Sequence, residues 1–445
     1  MRGYFVLAII LGSLPFCFLE PYFGVLMWSW VGYFSPHRYT YGYAYHFPVA
    51  LVIAVPTLAG LVFTKKLNKG IFTREAIVLA MLWIWMAITL GYASAEPKFA
   101  GHVQEGIAQF ERISKILLMA WVSILVVNSK KRMKYLYLVT AISFGMLAIK
   151  AVAFGLKTSG GSRVWGPPDS FITDNNDMAL ALNMSLPILF FLARDEENPR
   201  LRLFLRFMFV CSIASVILTY SRGGLLGLAA VILYLAVYSR RKVLAGVMLV
   251  SSVLLVFTFA PTKWMERMET IRQGTLDETA KERIVTWGFA WNLAQDYPIT
   301  GGGLQAFPDV PLFQAYQPEP LPGGYQAASA HSIYFQMLGE HGFVGLGLFL
   351  LLLGFAWRAT RAIRKRASLV PSIRWMVPYS HMLEASLIAF MVCGAFLGRP
   401  YFDLFYQLIA SIVVLKIICR REINALRQAR HESINVTPQM ELVST

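Results

Sequence analysis

The chain has 445 residues, of which 56% are hydrophobic and only 15% are charged, and apolar windows of bilayer-spanning length recur along it. This composition excludes an ordinary soluble domain and predicts an all-α polytopic membrane protein. The 41 Lys and Arg outnumber the 25 Asp and Glu. Because these cations cluster in short loops between apolar spans, they indicate membrane orientation and no nucleic-acid partner. The four cysteines lie in or beside apolar segments and lack the spacing of a zinc site.

The predicted elements begin with an apolar stretch at residues 1–19, which has no small-residue cleavage pattern and is therefore expected to be a retained first helix. Residues 20–48 hold a short apolar run and then many Tyr, Trp and His, which is typical of an interfacial or re-entrant segment. Further spans bring the predicted total to about twelve membrane helices. These spans are about 49–64, 76–93, 113–128, 135–155, 176–193, 203–220, 223–238, 243–260, 332–357, 379–397 and 401–419.

Clusters of lysine and arginine fall in every second loop between these spans, as the positive-inside rule demands. Both termini are therefore expected to be cytoplasmic, unless residues 20–35 cross the membrane, in which case only the N-terminus changes side. The predicted parts are a bundle of about nine helices (1–260), a large loop on the other face (261–330), C-terminal membrane helices (331–421) and a cytoplasmic tail (422–445).

The large loop is expected to contain helices of its own, because residues 263–272 and 279–294 carry apolar residues at helical spacing. Residues 296–303, which read DYPITGGG, then break the chain sharply. The polar residues whose side chains are suited to catalysis or ligand binding concentrate on the face that bears this loop.

Arg222 opens the segment RGGLLG between two consecutive predicted spans, on the face opposite the cationic loops. Flanking cations prefer the cytoplasmic side, so a functional arginine is favoured over a topological one. Guanidinium groups suit phosphate oxygens, and the adjacent glycines allow close backbone approach. Several arginines at membrane level can together neutralise a pyrophosphate without a metal, although each alone is more often a solvated surface cation. Further candidates on this side are Arg163, Arg283 and Arg267, followed by Arg272 and Arg399.

His331 stands where the hydrophilic loop meets an apolar run, so its imidazole can meet both a lipid-linked and a soluble reactant. A histidine is suited to removing a hydroxyl proton near neutral pH. The structural alternative is a histidine at a helix start that donates to a nearby carbonyl. Glu340 and His341 follow nine and ten residues later. This places them about 13–15 Å further along a helix, which predicts a separate buried polar pair.

Residues 169–177, which read DSFITDNND, offer the competing hypothesis of a metal site, because carboxylate and amide oxygens bind hard cations. The stretch lacks the spacing of a defined metal loop, and residues 174–176 can instead cap the helix that follows. The cap is favoured, so neither a metal nor another cofactor is predicted.

The segment around His331 resembles a motif of bacterial O-antigen ligases. His331 and Ser332, nine further residues, Gly342, two residues and Gly345 match the pattern of that family, in which His is followed by Asn, Ser or Gln, nine residues, Gly, two residues, and Gly, Thr or Tyr. Arg222 and the Leu four residues later match the family's Arg-x-x-x-Leu element. The resemblance covers about residues 160–400, and the N-terminal part is similar to a subgroup described as exosortase-associated O-glycosylation ligases.

The resemblance implies that a polysaccharide is transferred from undecaprenyl pyrophosphate to a hydroxyl of the lipid A core oligosaccharide, on the periplasmic face of the bacterial inner membrane. As hypotheses, Arg222 and one or more of Arg163, Arg283 and Arg267 hold the pyrophosphate, and His331 deprotonates the acceptor hydroxyl. A metal-independent single displacement with inversion follows, because the sequence offers no convincing nucleophile for a double displacement.

Three alternatives stay open at this point. An O-antigen polymerase would extend one lipid-linked chain with another, and a protein O-oligosaccharyltransferase would use a peptide acceptor. A lipid-linked oligosaccharide transporter would instead line a path to both faces with buried charges. Transport ranks last, because the polar residues concentrate on one side of the predicted bundle.

Overall fold

The computed structural model describes residues 2–238, 278–320 and 328–441. Within these ranges the chain is almost entirely helical and contains no strand, which confirms the all-α prediction. Seven of the described helices are long and apolar enough to cross a membrane. The total of about twelve spans stays a prediction, and the predicted span at residues 243–260 lies outside the described residues.

The first part of the bundle contains helices α1 to α10, several of which begin at capping side chains. Ser129 and Asn198 accept hydrogen bonds from backbone N–H groups in the first turns of α7 and α9, which satisfies donors that have no partner inside the helix. The helices are α1 (Arg2–Leu19), α2 (Pro21–Phe34), α3 (Tyr43–His46), α4 (Val49–Phe63), α5 (Arg74–Ala95), α6 (Val103–Val126), α7 (Lys130–Lys157), α8 (Asn175–Asp195), α9 (Pro199–Leu218) and α10 (Arg222–Tyr238).

The second part contains two helices of the predicted large loop and three C-terminal helices. The observed helix from residue 278 to 296 confirms the predicted loop helix at 279–294, whereas the predicted helix at 263–272 lies outside the described residues. The helices are α11 (Glu278–Asp296), α12 (Val310–Tyr316), α13 (Ile333–Leu369), α14 (Met376–Gly394) and α15 (Asp403–Glu441).

Polar contacts sort the chain onto two ends of the helical bundle. One end, which we call the cationic end, holds Arg132, Arg366 and Lys416, and there Arg132 Nη2 lies 2.9 Å from Glu20 Oε1. The other end, which we call the His331 end, holds His331, Asp169 and Arg399. This separation of lysine and arginine loops from the candidate site is what the positive-inside pattern predicts.

Helix α1 begins at the His331 end, and the side of the membrane on which the termini lie stays a prediction. Helix α1 runs from that end to Glu20 at the cationic end, and α2 runs back. A Cβ placed on Gly3 would lie 3.0 Å from the Cβ of Ala44, and the neighbouring Tyr45 hydroxyl donates to Asp169 over 2.5 Å. Residues 20–35 thus contain a packed helix, α2. Helix α1 starts at the His331 end, whereas α15 runs toward the cationic end. The physical reason is that α2 buries its small-residue face against α4 instead of lying at an interface.

Helices α11 and α12 form a cap over the His331 end, with an apolar core of their own. Phe289 packs at a centroid distance of 5.1 Å from Phe307 and 4.8 Å from Phe313, and all three side chains are buried. Burial of such aromatic surface stabilises the cap through the hydrophobic effect. The cap therefore gives α13 a rigid support just beyond residue 331.

Helix α13 is kinked at Gly342, where the DYPITGGG segment of the cap docks. Gly342 has a left-handed φ of +65°, and the interrupted helix leaves the Gly339 carbonyl to accept a 2.9 Å hydrogen bond from Gly302 N–H. Phe343 N–H donates to the Pro298 carbonyl over 2.8 Å. The motif glycine thus allows the kink, and the kink joins the cap to the first three turns of α13.

Candidate functional site

The backbone at His331 is held from both sides immediately before α13. Trp287 Nε1–H donates to the Ala330 carbonyl over 2.9 Å, and Ala330 N–H donates to Gln336 Oε1 over 2.8 Å. A Cβ on Gly398 would lie 3.0 Å from the backbone nitrogen of His331, which shows how closely the α14–α15 turn approaches. His331 itself has a left-handed φ of +48°. These contacts fix the direction in which its side chain leaves the chain.

The imidazole of His331 lies in a partly buried, positively charged environment. Burial lowers its pKa, the guanidinium groups of Arg283 and Arg399 lower it further, and the Asp174 carboxylate opposes the shift. The ring is therefore neutral near pH 7 and can accept a proton. Its ring nitrogens form no hydrogen bond with any other described residue. This arrangement suits a general base.

Arg399 is held at the site by a buried carboxylate. Its Nε lies 3.1 and 3.0 Å from the two oxygens of Asp177, and Nη2 lies 2.9 Å from Oδ2. The Asp177 side chain is 1% exposed whereas that of Arg399 is 54% exposed. Asp177 thus anchors the guanidinium while part of it faces outward, so Arg399 can still donate to an anionic ligand.

Arg222 begins α10 at the same end of the bundle and is partly buried. The preceding Ser221 donates its hydroxyl to Asn176 Oδ1 over 2.7 Å, next to the Asp177 that holds Arg399. A Cβ on Gly223 would lie 3.1 Å from the Cβ of Phe396 in the turn that carries Arg399. The first turns of α8 and α10 therefore converge beside Arg222, and the positive ends of two helix dipoles favour an anion there.

The glycines after Arg222 allow helix packing rather than approach to a ligand. A Cβ on Gly224 would lie 2.6 Å from the Cβ of Ala179, and one on Gly227 would lie 2.0 Å from Cys393 Sγ. Any larger residue would push α10 away from α8 and α14. These glycines therefore position Arg222 indirectly, by letting three helices meet closely, and the expected close approach of the backbone to a phosphate is not needed to explain them.

The other two predicted arginines have different outcomes. Arg163 is partly buried in the segment between α7 and α8, where the adjacent Val164 N–H donates to the Leu218 carbonyl over 3.1 Å. It forms no ion pair with a described residue and is not among the charges that shift the pKa of His331. Arg267 lies outside the described residues, as does Arg272. The structure thus brings His331, Arg283 and Arg399 together, with Arg222 at the same end.

A buried chain of hydrogen bonds extends below His331 into the bundle. Gln336 Nε2–H donates to Glu340 Oε1 over 2.8 Å, and the Tyr401 hydroxyl donates to the other oxygen of Glu340. Tyr401 Oη also lies 2.7 Å from His341 Nε2, whose Nδ1 lies 2.7 Å from Thr89 Oγ1. Glu340 and His341 are thus buried as predicted, but they are joined through Tyr401 and not directly. Through Gln336, Glu340 also reaches the backbone beside His331, which was not predicted.

Two of these residues differ in how far the sequence could have identified them. Gln336 lies one helical turn before Glu340, and side chains four residues apart on a helix face each other, so its partnership was readable in principle. Tyr401 lies in a different helix-connecting turn, and no spacing indicates its contact with Glu340.

The carboxylates of residues 169–177 have protein partners. Asp174 Oδ1 accepts the Asn176 N–H over 2.8 Å and caps α8, which confirms the cap prediction. Asp177 pairs with Arg399, and Asp169 accepts from Tyr45. Across residues 2–238, 278–320 and 328–441, no three His, Cys, Asp or Glu side chains form a group that could hold a metal ion.

Glu384 belongs to a different buried network. Its Oε2 accepts a hydrogen bond from the Tyr234 hydroxyl over 3.0 Å and pairs with Arg364, and its Oε1 lies 3.6 Å from Arg361 Nε. This network joins α10, α13 and α14. It therefore neutralises a buried carboxylate within the bundle and has no contact with His331.

Comparison with known families agrees with this geometry. Residues 207–350 match the family model described as O-Antigen ligase, a range that contains both Arg222 and His331. This segment of the chain is therefore similar to O-antigen ligases. Residues 1–196 match a second model, described as a family of unknown function (DUF5935). No curated protein matches the chain significantly.

Members of the O-antigen ligase family are glycosyltransferase-like ligases and polymerases. That family acts on lipid-linked glycans in a membrane environment, and the seven apolar helices of this chain are consistent with such an environment. Asp174 and Asp177 lie in the part of the chain that matches the second model, whose family has no described function.

Proposed function

We propose that this protein is an O-antigen ligase, which transfers a polysaccharide from undecaprenyl pyrophosphate to a hydroxyl of the lipid A core oligosaccharide. The transfer takes place at the His331 end, which faces the periplasm, in the inner membrane. The observation that carries the proposal is the position of His331, whose imidazole lies near the guanidinium groups of Arg283 and Arg399, both of which lower its pKa. A base and an anion site side by side are what transfer from a pyrophosphate leaving group requires.

The chemistry is a single displacement at the anomeric carbon. His331 removes the proton of the acceptor hydroxyl, the hydroxyl oxygen forms a bond to the anomeric carbon, and the bond from that carbon to the pyrophosphate oxygen breaks. Arg283, Arg399 and Arg222 stabilise the negative charge that grows on the departing undecaprenyl pyrophosphate. Attack from the side opposite the leaving group inverts the anomeric configuration.

The role of His331 is tested with two substitutions, His331→Ala and His331→Asn. Asparagine tolerates the left-handed backbone at this position better than alanine, so His331→Asn removes the base with little backbone strain. We expect either variant to lose about 100-fold to 10,000-fold in transfer rate while it still inserts and binds the donor. His46→Ala is the matched control, because His46 is exposed and lies outside the site. Retained transfer in His331→Asn would remove the base assignment.

The role of the arginines is tested by donor affinity. Arg222→Ala and Arg399→Ala should each weaken binding of the pyrophosphate-linked donor about tenfold and leave acceptor binding unchanged, because each removes a charge-assisted hydrogen bond to phosphate. Equal donor affinity in the variants and the native protein would instead assign these arginines to the fold.

Metal independence is proposed because guanidinium groups can supply the neutralising charge. Transfer by the reconstituted protein should therefore survive a chelator. A requirement for added divalent ions would instead support the hypothesis that residues 169–177 bind a metal, although Asp174 and Asp177 already have protein partners.

An O-antigen polymerase is the second candidate, because the matched family includes both ligases and polymerases. The assay separates these functions by its acceptor: lipid A core, a second lipid-linked chain, or a pilin-like protein. Product on the lipid A core supports the ligase. Longer lipid-linked chains without added core would assign a polymerase, and glycosylated protein would assign a protein O-oligosaccharyltransferase.

A further inference from the structure

A cavity of about 260 Å³ opens at the cationic end, between the start of α5, the second half of α13 and the middle of α15. One face of α13 supplies much of its lining, with residues spaced three and four apart as a single helical stripe requires. That stripe consists of Phe355, Arg358, Ala359, Ala362, Ile363 and Arg366. The cavity is separate from the candidate site at the other end of the bundle.

The charge in this cavity is strongly positive. Among the residues that the structure describes, five cationic side chains line it, and the only acid is Glu75. Lys416 Nζ lies 2.7 Å from both oxygens of Glu75, so this buried pair is already neutral. The four remaining cations have no carboxylate partner in the described part of the chain. They are Arg74, Arg358, Arg366 and Arg420.

Convergence of these arginines is not explained by membrane orientation alone. The positive-inside rule accounts for arginines at this end, but it does not require three helices to direct them into one cavity. Like charges held together repel one another, and this repulsion is relieved when an anion binds between them. The arrangement therefore predicts an anionic ligand.

The apolar part of the lining and the depth of the cavity indicate a lipid. Phe355, Ala359 and Ile363 form an apolar wall beside the guanidinium groups. The cavity lies among the cationic loops at one end of the bundle, and the positive-inside pattern places such loops at the level of the lipid headgroups. A ligand with a phosphate next to an apolar portion matches such a lining.

We propose that this cavity binds the phosphate of an anionic phospholipid, with Arg358, Arg366 and Arg420 as its main contacts. The inference does not depend on the proposed glycosyl transfer. Each arginine near a membrane surface contributes attraction equivalent to about a fivefold change in affinity. Removal of three should therefore weaken binding about a hundredfold.

The test measures lipid bound to the purified full-length protein by native mass spectrometry, with phosphatidylglycerol and phosphatidylcholine of equal chain length. The native protein should prefer phosphatidylglycerol at least tenfold, and Arg358→Gln/Arg366→Gln/Arg420→Gln should lose that preference. Lys365→Gln is the matched control, because Lys365 lies on the same helix turn and is exposed but does not line the cavity. If the triple variant does not fold, Arg420→Gln alone should lose about fivefold.

Two results would overturn the proposal. Equal retention of phosphatidylglycerol by the native protein and the folded arginine variants would show that the cavity is not the binding site. If inorganic phosphate at millimolar concentration raised the unfolding temperature as much as phosphatidylglycerol does, and Arg420→Gln abolished both effects, the site would bind a free anion and not a lipid.

Discussion

Replacement of Gly342 by alanine should destabilise the protein because this residue combines two constraints. Its φ of +65° with a ψ of −169° is a backbone conformation essentially restricted to glycine, and it costs another residue about 1–3 kcal/mol. A Cβ there would also lie 2.6 Å from the carbonyl oxygens of Pro298 and Ile299, which are backbone atoms that cannot rotate away. Relief of such a contact by backbone movement costs about 1–3 kcal/mol. The expected loss for Gly342→Ala is therefore about 2–6 kcal/mol.

The controls for Gly342→Ala lie on the same helix. Gly347 and Gly354 have no heavy atom within 4 Å of an added Cβ and have ordinary helical φ values. Alanine at either position should leave stability unchanged or raise it by about 0.5–1 kcal/mol, because it reduces the entropy of the unfolded chain. The comparison thus separates the effect of the kink from the effect of removing any glycine from α13.

The assay is the thermal unfolding midpoint of the purified protein in detergent, followed by tryptophan fluorescence. Gly342→Ala should unfold several degrees below the native protein, whereas Gly347→Ala should not. Transfer activity should fall as well, because the kink seats the cap that holds Trp287 against the residue before His331. An unchanged midpoint for Gly342→Ala would refute the assignment of this glycine to the docked kink.

Three further predictions concern the surroundings of His331. Arg283→Gln removes a positive charge that lowers the pKa of His331, so the acid limb of the pH–rate profile should move to higher pH. If the acid limb stays at the same pH, Arg283 does not influence the pKa of His331. Gln336→Leu leaves the N–H before His331 without its acceptor and should slow transfer by about 100-fold at unchanged donor affinity; equal loss of donor affinity would indicate general misfolding. Arg399→Gln should cost about 3 kcal/mol of stability, because it leaves the carboxylate of Asp177 buried without a cation. Asp177→Asn should cost only about 1 kcal/mol, because the guanidinium of Arg399 remains half-exposed to water. Denaturation of both purified variants checks this order.

Local physical chemistry made much of this protein predictable from its sequence. Apolar windows of bilayer length are helices because a backbone in lipid must satisfy its own hydrogen bonds, so the positions of α5, α7, α8 and α9 followed from hydropathy. The cap at Asp174 followed from its place before an apolar run. The motif that contains His331 and Gly342 indicated the resemblance to O-antigen ligases directly, since both residues are read from fixed spacing along the chain.

Only the tertiary structure decided which distant residues meet. The sequence singled out Arg222 but did not show which other arginines converge. Only packing of α8, α11 and the α14–α15 turn brings Arg283 and Arg399 to His331. The direction of α1 also depended on whether a 14-residue helix, α2, packs against its neighbours or lies at the interface. The physical reason is the same in each case: capping and hydropathy act within a few residues, whereas convergence depends on close contact between helices that are remote in the chain.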